Sequence, residues 1–481
     1  MAEIRKITFV ASECQPYIAS GGLGDVIGSL PKAIAKAKKN YEVSVIVPCY
    51  SKIDKKIKSK MEFIAQTTVA LAWRKQYCGI YRLIEKNVTY YFIDNEYYFK
   101  RDRLYGYFDD AERFAFFSKA AIEVMLHLGE IPHIIHCHDW QTGLLPIYLR
   151  TVYYGNVLLM NVKTIFTIHN IEYQGRYHLG EEIMEDVFGV SINDGYLLEY
   201  KGGLNIMKGA MESSNKVSTV SPTYAEEICT PTYAHELEHE VIRVKDEGKL
   251  FGILNGIDTT FYNPSKDKAI YKKYSVKSLE DKKINKARLQ EELNLPVSEN
   301  TPLIGMVSRL VSHKGLDILR DAFDTIAALD LQIVILGTGD TYYENFLKEM
   351  EYRYPNKVRT IIDFNQVLSR KIYAGCDLFL MPSKSEPCGL SQMIASTYGT
   401  VAIVRETGGL KDSIIDVQKE NGMGYTFKDL NGYQMYETIK RAINDYNSPE
   451  WEKIVVAAIS KDFSWKQSAK EYIKEYEKLL K

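Results

Sequence analysis

The chain has 481 residues, with 61 Lys and Arg set against 62 Asp and Glu for a formal net charge of −1. Charge this even implies no polyanionic partner, so nucleic acid is not expected, and no apolar run is long enough to cross a membrane as a helix. A chain of this length with 46% hydrophobic residues divides into two or three domains with sizeable cores. Met1-Ala2-Glu3-Ile4-Arg5-Lys6 leads straight into a strand, not into a signal peptide, and no transit peptide is seen. The seven cysteines (Cys14, Cys49, Cys78, Cys137, Cys229, Cys376 and Cys388) are odd in number and dispersed, as free thiols of a reducing cytoplasm are. Strand-like runs then alternate with helical patterns, the mark of a parallel α/β architecture. Residues 6–10, 43–47, 131–137, 162–168 and 216–220 are predicted strands of a first half. Residues 303–307, 331–336, 359–362, 378–381 and 400–404 are those of a second. A lysine-rich stretch of helical character, 267–294, lies between them, and the domain boundary is set just before it, near 251–258. The last segment, 465–481, carries Ala469, Tyr472, Ile473, Tyr476, Leu479 and Leu480 at helical spacing.

One six-residue phrase occurs twice: Ser20-Gly21-Gly22-Leu23-Gly24-Asp25 and Thr407-Gly408-Gly409-Leu410-Lys411-Asp412. Each follows an apolar run and opens a helical stretch. The hydroxyl is expected to cap free amides, the glycines to admit a ligand to the backbone, and the leucine to dock the helix. Two such phrases suggest two Rossmann-like halves, each aiming a helix N-terminus at a shared anionic ligand, although a common cap can also recur by chance. In the first half, His136-Cys137-His138-Asp139-Trp140 and His169-Asn170 end successive strands and suit the reading of sugar hydroxyls. For His136 a packed core histidine is the expected role. A metal site at 136–138 is set aside because alternating strand positions are taken to face opposite ways.

His235-Glu236-Leu237-Glu238-His239 matches the zinc-protease spacing H-E-x-x-H. Its polar surroundings and lack of a third ligand favour a charged loop or short helix. In the second half, Arg309 and Lys314 flank a strand-to-helix loop where two cations can grip a diphosphate, or merely form a salt-bridged loop. Glu386, held extended by Pro387, follows the strand 378–381 and precedes Cys388-Gly389-Leu390-Ser391-Gln392. A carboxylate there lies where open α/β sheets bind ligands; a helix-capping acid is the plainer alternative.

These motifs, with Ser221-Pro222-Thr223-Tyr224-Ala225 and Asn255-Gly256-Ile257-Asp258, occur in one order from about Lys6 to the C-terminus. Together they resemble the bacterial glycogen synthases and plant starch synthases, glycosyltransferase family 5. The resemblance implies a GT-B fold, two Rossmann-like doubly wound domains facing across a cleft. Residues 1–252, completed by a returning helix 463–481, would form the acceptor side, and 253–462 the nucleotide-sugar side. It also implies a retaining glucosyltransferase that extends α-1,4-glucan at its non-reducing end. ADP-glucose is the expected nucleotide-glucose donor and UDP-glucose the alternative.

By position, Glu386, His169, Arg309, Lys314 and Asp139 are the implied catalytic residues. Ser20, Gly21, Gly22, Asp25, Asn255, Phe364, Cys388, Gly389, Leu390, Thr407, Gly408 and Gly409 are implied around the donor, Phe364 on the nucleobase. Tyr105 and Trp140 fall on the acceptor side. No metal or other cofactor is implied, nor a membrane partner, and a homo-oligomer is left open. Two departures from the family pattern stand out. Ala19 replaces the lysine of the first glycine loop, a charge-assisted contact worth roughly 1.5–3 kcal/mol. The usual glycine-rich stretch before the domain crossover reads Tyr233-Ala234-His235-Glu236-Leu237-Glu238-His239-Glu240. Other GT-B enzymes (sucrose-synthase-like, trehalose-forming or phosphorylase) and a non-catalytic glucan binder are the rival readings.

Overall fold

Alternating β-branched strands and amphipathic helices build two large sheets and one small one in the computed structural model, which describes residues 3–178, 180 and 182–481. The chain divides into two units. The first comprises 1–220, 225–255 and 465–481; the second comprises 221–224 and 256–464.

In the first unit the strands are β1 (Arg5–Val10), β2 (Tyr41–Pro48), β3 (Glu62–Leu71), β4 (Arg74–Glu85), β5 (Val88–Asp94), β6 (Ile134–His138) and β7 (Lys163–Ile168). A small antiparallel sheet follows, of β8 (Arg176–His178), β9 (Glu199–Tyr200) and β10 (Gly203–Asn205), and then β11 (Lys216–Thr219) and β12 (Leu250–Gly252). The main sheet runs β12-β11-β7-β6-β1-β2-β5-β4-β3. Its centre is parallel and registered through Ile7, which pairs with Val43 on one side and Ile134 on the other. Such buried parallel strands are near-continuous apolar runs, which is why they are legible in sequence. The antiparallel strands β3 and β4 at the edge are not: β4 buries only Cys78, Gly79 and Ile80 and is otherwise polar or half-exposed. Lys86 and Asn87, both at positive φ (50° and 63°), make the tight turn from β4 to β5.

The helix Trp465–Leu479 belongs to this unit and packs on the helix Gly22–Ala37. Ala469, Tyr472, Ile473 and Tyr476 are buried, as the helical spacing requires, together with Trp465 and Ser468. Tyr476 bonds His136 Nδ1 at 2.8 Å, while His136 Nε2 bonds Thr167 Oγ1 at 2.6 Å.

The second unit is a parallel sheet of β13 (Leu303–Val307), β14 (Gln332–Gly337), β15 (Val358–Ile362), β16 (Leu378–Met381), β17 (Val401–Arg405) and β18 (Tyr425–Phe427). Its order is β15-β14-β13-β16-β17-β18, the doubly wound arrangement in which strand order reverses between β13 and β16. The first unit reverses in the same way between β1 and β6. Ile304, Met306, Leu319, Phe323, Ile335, Leu380 and Ile403 are buried in its core. Of the stretch expected to be helical, only Glu280–Glu292 and a short 3-10 turn at Val276–Ser278 are; residues 267–275 are bent, irregular backbone. All seven cysteines are free. Among the described residues, no helix is long and apolar enough to cross a membrane.

Candidate active site

Loops leaving the carboxyl ends of strands at a reversal of strand order are where doubly wound sheets take ligands. In the second unit three such loops lock together. The loop after β13 carries Lys314, whose Nζ lies 2.6 Å from Glu386 Oε2 on the loop after β16. Ser383 Oγ donates to the same oxygen at 3.1 Å, and Glu386 is buried. Gly315, at φ 78°, and Gly408, at φ 42°, pass so close to the carbonyls of Pro382 and Glu386 that a Cβ at either would collide. Gly409 N donates to the Glu386 carbonyl at 3.1 Å.

Two groups that sequence reasoning missed hold these loops in place. Lys384 Nζ reaches Asp317 Oδ2 at 2.5 Å and Ser312 Oγ at 3.0 Å, and the ammonium holds the Asp317 carboxyl below its usual range. Arg405 Nη1 donates to the Lys384 carbonyl at 2.9 Å. Asp412, the acid of the second glycine phrase, accepts from Thr223 N at 2.8 Å and from Thr223 Oγ1 at 2.6 Å. Arg309 is exposed and makes no side-chain hydrogen bond or ion pair among the described residues. It is therefore a cation open to a ligand, whereas Lys314 is already paired. Cys388 is buried, Gly389 stands at φ 71°, and Leu390 is half-buried ahead of the helix Ser391–Thr397. Phe364 is 83% exposed on the loop after β15, at the sheet edge.

In the first unit the loops after β1, β6 and β7 converge in the same manner. Asp139, at φ 56°, accepts from the His169 backbone N–H at 2.8 Å. Burial, reinforced by the negative charge of Glu13, pushes its carboxyl up to about 7 against the pull of the His169 and Asn170 amides. His169 Nε2 and His138 Nδ1 are 2.9 Å apart. Burial lowers His169 to about 3 and His138 well below the usual histidine range, so both rings are neutral. Trp140 packs edge-on against Phe114 at 5.3 Å.

Tyr105 OH donates to Glu13 Oε1 at 2.6 Å and shares a hydrogen bond with Ser12 Oγ at 2.7 Å. Gly21 and Gly22 face open space, and Asp25 is exposed in the first helical turn. Asn255 is buried after β12, its Oδ1 without a hydrogen-bond partner among the described residues.

Neither glycine phrase caps its helix with its hydroxyl: the N-caps Gly21 and Thr407 make no side-chain cap, and the second helix, Gly408–Ser413, has six residues. Ser20 Oγ instead donates to Glu13 Oε1 at 2.8 Å, and Ser20 N and Gly21 N donate to Glu13 Oε2 at 2.5 and 3.3 Å. An acid three residues past the end of β1 was the only sequence signal for Glu13. His136 and His138 do not face opposite ways; two positions apart they share a face, with rings stacked at 4.3 Å. Only Cys137 between them points away. His136 is nonetheless a core histidine, fully buried with both nitrogens hydrogen-bonded. The H-E-x-x-H segment is not helical at its start, since His235 and Glu236 stand at φ 47° and 74° and the helix begins at Glu238. Glu236 pairs with Arg176 at 2.6 Å, and the His239 side chain is 79% exposed, so this is a charged loop leading into a helix.

The model of the starch synthase catalytic domain matches residues 6–243, and that of the group 1 glycosyl transferases matches residues 288–454. The glycogen synthase of Anoxybacillus flavithermus is 46% identical over 482 residues, covering 99% of this chain and 98% of its own. That of Alkaliphilus metalliredigens is 46% identical over 480 residues, 98% of this chain and 100% of its own. The solved catalytic domain of starch synthase IV from Arabidopsis thaliana, bound to ADP and acarbose, superposes with a TM-score of 0.89 at 32% identity, covering 100% of both chains. Sucrose-phosphate synthase from Thermosynechococcus elongatus shares the fold alone, with a TM-score of 0.61 at 17% identity over 99% of both chains. On this evidence the fold is GT-B, and the chain belongs to the family of glycogen and starch synthases.

Proposed function

We propose that this enzyme is a retaining glucosyltransferase that extends α-1,4-glucan at its non-reducing end, with ADP-glucose as donor. The observation that carries the reading is the Lys314–Glu386 pair, its carboxylate buried where the second sheet reverses its strand order and buttressed by the Gly408-Gly409 turn. The 46% identity to glycogen synthases over nearly the whole chain supports it, as does the Arabidopsis enzyme's binding of ADP and acarbose.

The second unit is assigned the nucleotide sugar. Arg309 and Lys314 hold the diphosphate, one as an open fork and one as a charge already set by Glu386. Phe364 stacks on the base, and Cys388, Gly389, Leu390, Thr407, Gly408 and Gly409 line the donor. In the first unit, His169 and Asp139 read glucosyl hydroxyls, Ser20, Gly21, Gly22, Asp25 and Asn255 complete the donor contacts, and Tyr105 and Trp140 serve the acceptor. When the glucosyl–phosphate bond breaks, its electron pair goes to the diphosphate, where the cations stabilise the growing charge. The acceptor hydroxyl attacks from the face the phosphate leaves, and its proton passes to a departing phosphate oxygen. Glu386, its Oε2 engaged by Lys314 and Ser383, stabilises positive charge on the sugar.

The test is incorporation of labelled glucose into glycogen with ADP-glucose and UDP-glucose side by side. Preference for ADP-glucose is expected. Preference for UDP-glucose would overturn the donor assignment, and no incorporation from either would overturn the enzymatic reading.

A further inference from the structure

The loops after β13 and β16 exchange two ion pairs of opposite sense. The first loop contributes Lys314 and, three residues on, Asp317; the second contributes Lys384 and, two residues on, Glu386. Lys314 meets Glu386 at 2.6 Å, and Lys384 meets Asp317 at 2.5 Å. The inner pair has side chains 15% and 9% exposed, whereas those of the outer pair, at 32% and 29%, reach further into solvent. Asp317 is the fixed end of the outer pair. It stands in the first turn of the helix Leu316–Ala327, accepts from Ser312 Oγ at 3.2 Å, and accepts at its other oxygen from Tyr343 OH at 2.6 Å. Tyr343 belongs to a second helix, Thr341–Arg353, so the acid is anchored from two elements.

The backbone of Lys384 is held as firmly as its side chain. Its N–H donates to the His313 carbonyl at 2.8 Å, and its own carbonyl accepts from Arg405 Nη1 at 2.9 Å. Glu386 follows after one intervening residue, too short a link to absorb a shift of Lys384 without passing it on. Partly exposed ion pairs add little to folding stability, so the cost of ordering this long side chain across two loops is not repaid by stability alone. We infer that Lys384 is a positioning residue for glucosyl transfer: by gripping Asp317 it fixes the loop 382–386 against the loop 312–317 and so sets where Glu386 and Lys314 stand. This deepens the functional reading above and rests on it.

Lys384→Met in the full-length enzyme removes the ammonium and keeps most of the stem. Its kcat should fall on the order of tenfold to a hundredfold, the scale of a small misplacement of reacting groups, while the donor KM stays near that of the parent. Lys384→Arg keeps a cation within reach of Asp317 and should restore most of the lost rate. An unchanged kcat in Lys384→Met, or a loss that Lys384→Arg does not recover, would overturn the positioning role. A second measurement needs no turnover: the urea midpoints of the parent, Lys384→Met, Glu386→Ala and the double variant. If the outer pair sets the inner one, Glu386→Ala lowers the midpoint less in the Lys384→Met background than in the parent. Equal shifts would overturn the inference. These midpoints still decide the matter if the parent transfers no glucose and the functional reading itself falls.

Discussion

Glu386→Ala withdraws the carboxylate from Lys314 Nζ at 2.6 Å and from Ser383 Oγ at 3.1 Å. It leaves an ammonium whose side chain is only 15% exposed. A hydrogen bond to a charged group is worth about 1.5–3 kcal/mol, and an orphaned, fully buried charge costs about 3–5 kcal/mol. Because Lys314 keeps some access to water, a loss of about 2–3 kcal/mol is expected. That corresponds to a fall in Tm of roughly 4–12 °C for a body of this size. Lys314→Met alone should cost a similar amount, since it strands a carboxylate that is 9% exposed. The double variant strands no charge, so its loss should fall short of the sum of the single losses by about 1–3 kcal/mol. Urea unfolding of the four proteins measures this coupling, and glucose incorporation is followed alongside. Stability should be rescued in the double variant and activity should not. Additive losses, agreeing within about 0.5 kcal/mol, would refute the claim that the pair acts as a unit.

Arg309→Ala should leave stability within about 0.5 kcal/mol, as for any exposed unpaired side chain, while raising the donor KM; an unaltered donor titration removes Arg309 from the diphosphate site. The Asp139 carboxyl, raised to about 7, favours the folded state while protonated, and that stability is lost as pH climbs from the ordinary carboxyl range near 4 through 7. Asp139→Asn should therefore gain stability relative to the parent across that window and hold a constant difference above it, as urea unfolding at pH 5 and pH 8 will show. Gly408→Ala drives a methyl group into the Glu386 carbonyl and should cost at least about 1–3 kcal/mol together with transfer activity; a normal melt and a normal rate would show that the turn relaxes freely. Tyr476→Phe loses the bond to His136 and should lower stability by about 1 kcal/mol in thermal unfolding.

The parallel cores were legible because β1, β2, β7 and β13 are short strands dominated by Val, Ile, Phe, Leu and Met, most of them buried. The edge hairpin β3–β4 was not, since its apolar residues are interspersed with Arg, Lys, Gln, Thr and Glu and many of them are exposed or half-buried. The strand-end motifs located Asp139, His169, Lys314 and Glu386 correctly in chain order. Their mutual contacts could not be read, because the Lys314–Glu386 pair spans 72 residues and Lys384–Asp317 spans 67. The loop hydroxyl at Ser20 illustrates the limit best. Local grammar assigns it to a helix cap, but a carboxylate seven residues earlier, carried back to it by the turn after β1, competes for the same hydrogen bond and wins.

The bond from Asp412 to Thr223 ties a four-residue piece, 221–224, to a unit whose main run begins only at 256. The backbone thus passes from one unit to the other at 220, 224, 255 and 464, so no single cut separates them. A fragment expressed from 256 to 464 would leave Asp412 without Thr223, and one ending at 255 would lack the helix that covers His136. Halves meant to fold on their own, or to be exchanged between relatives, must be built by grafting 221–224 and 465–481 onto their proper bodies.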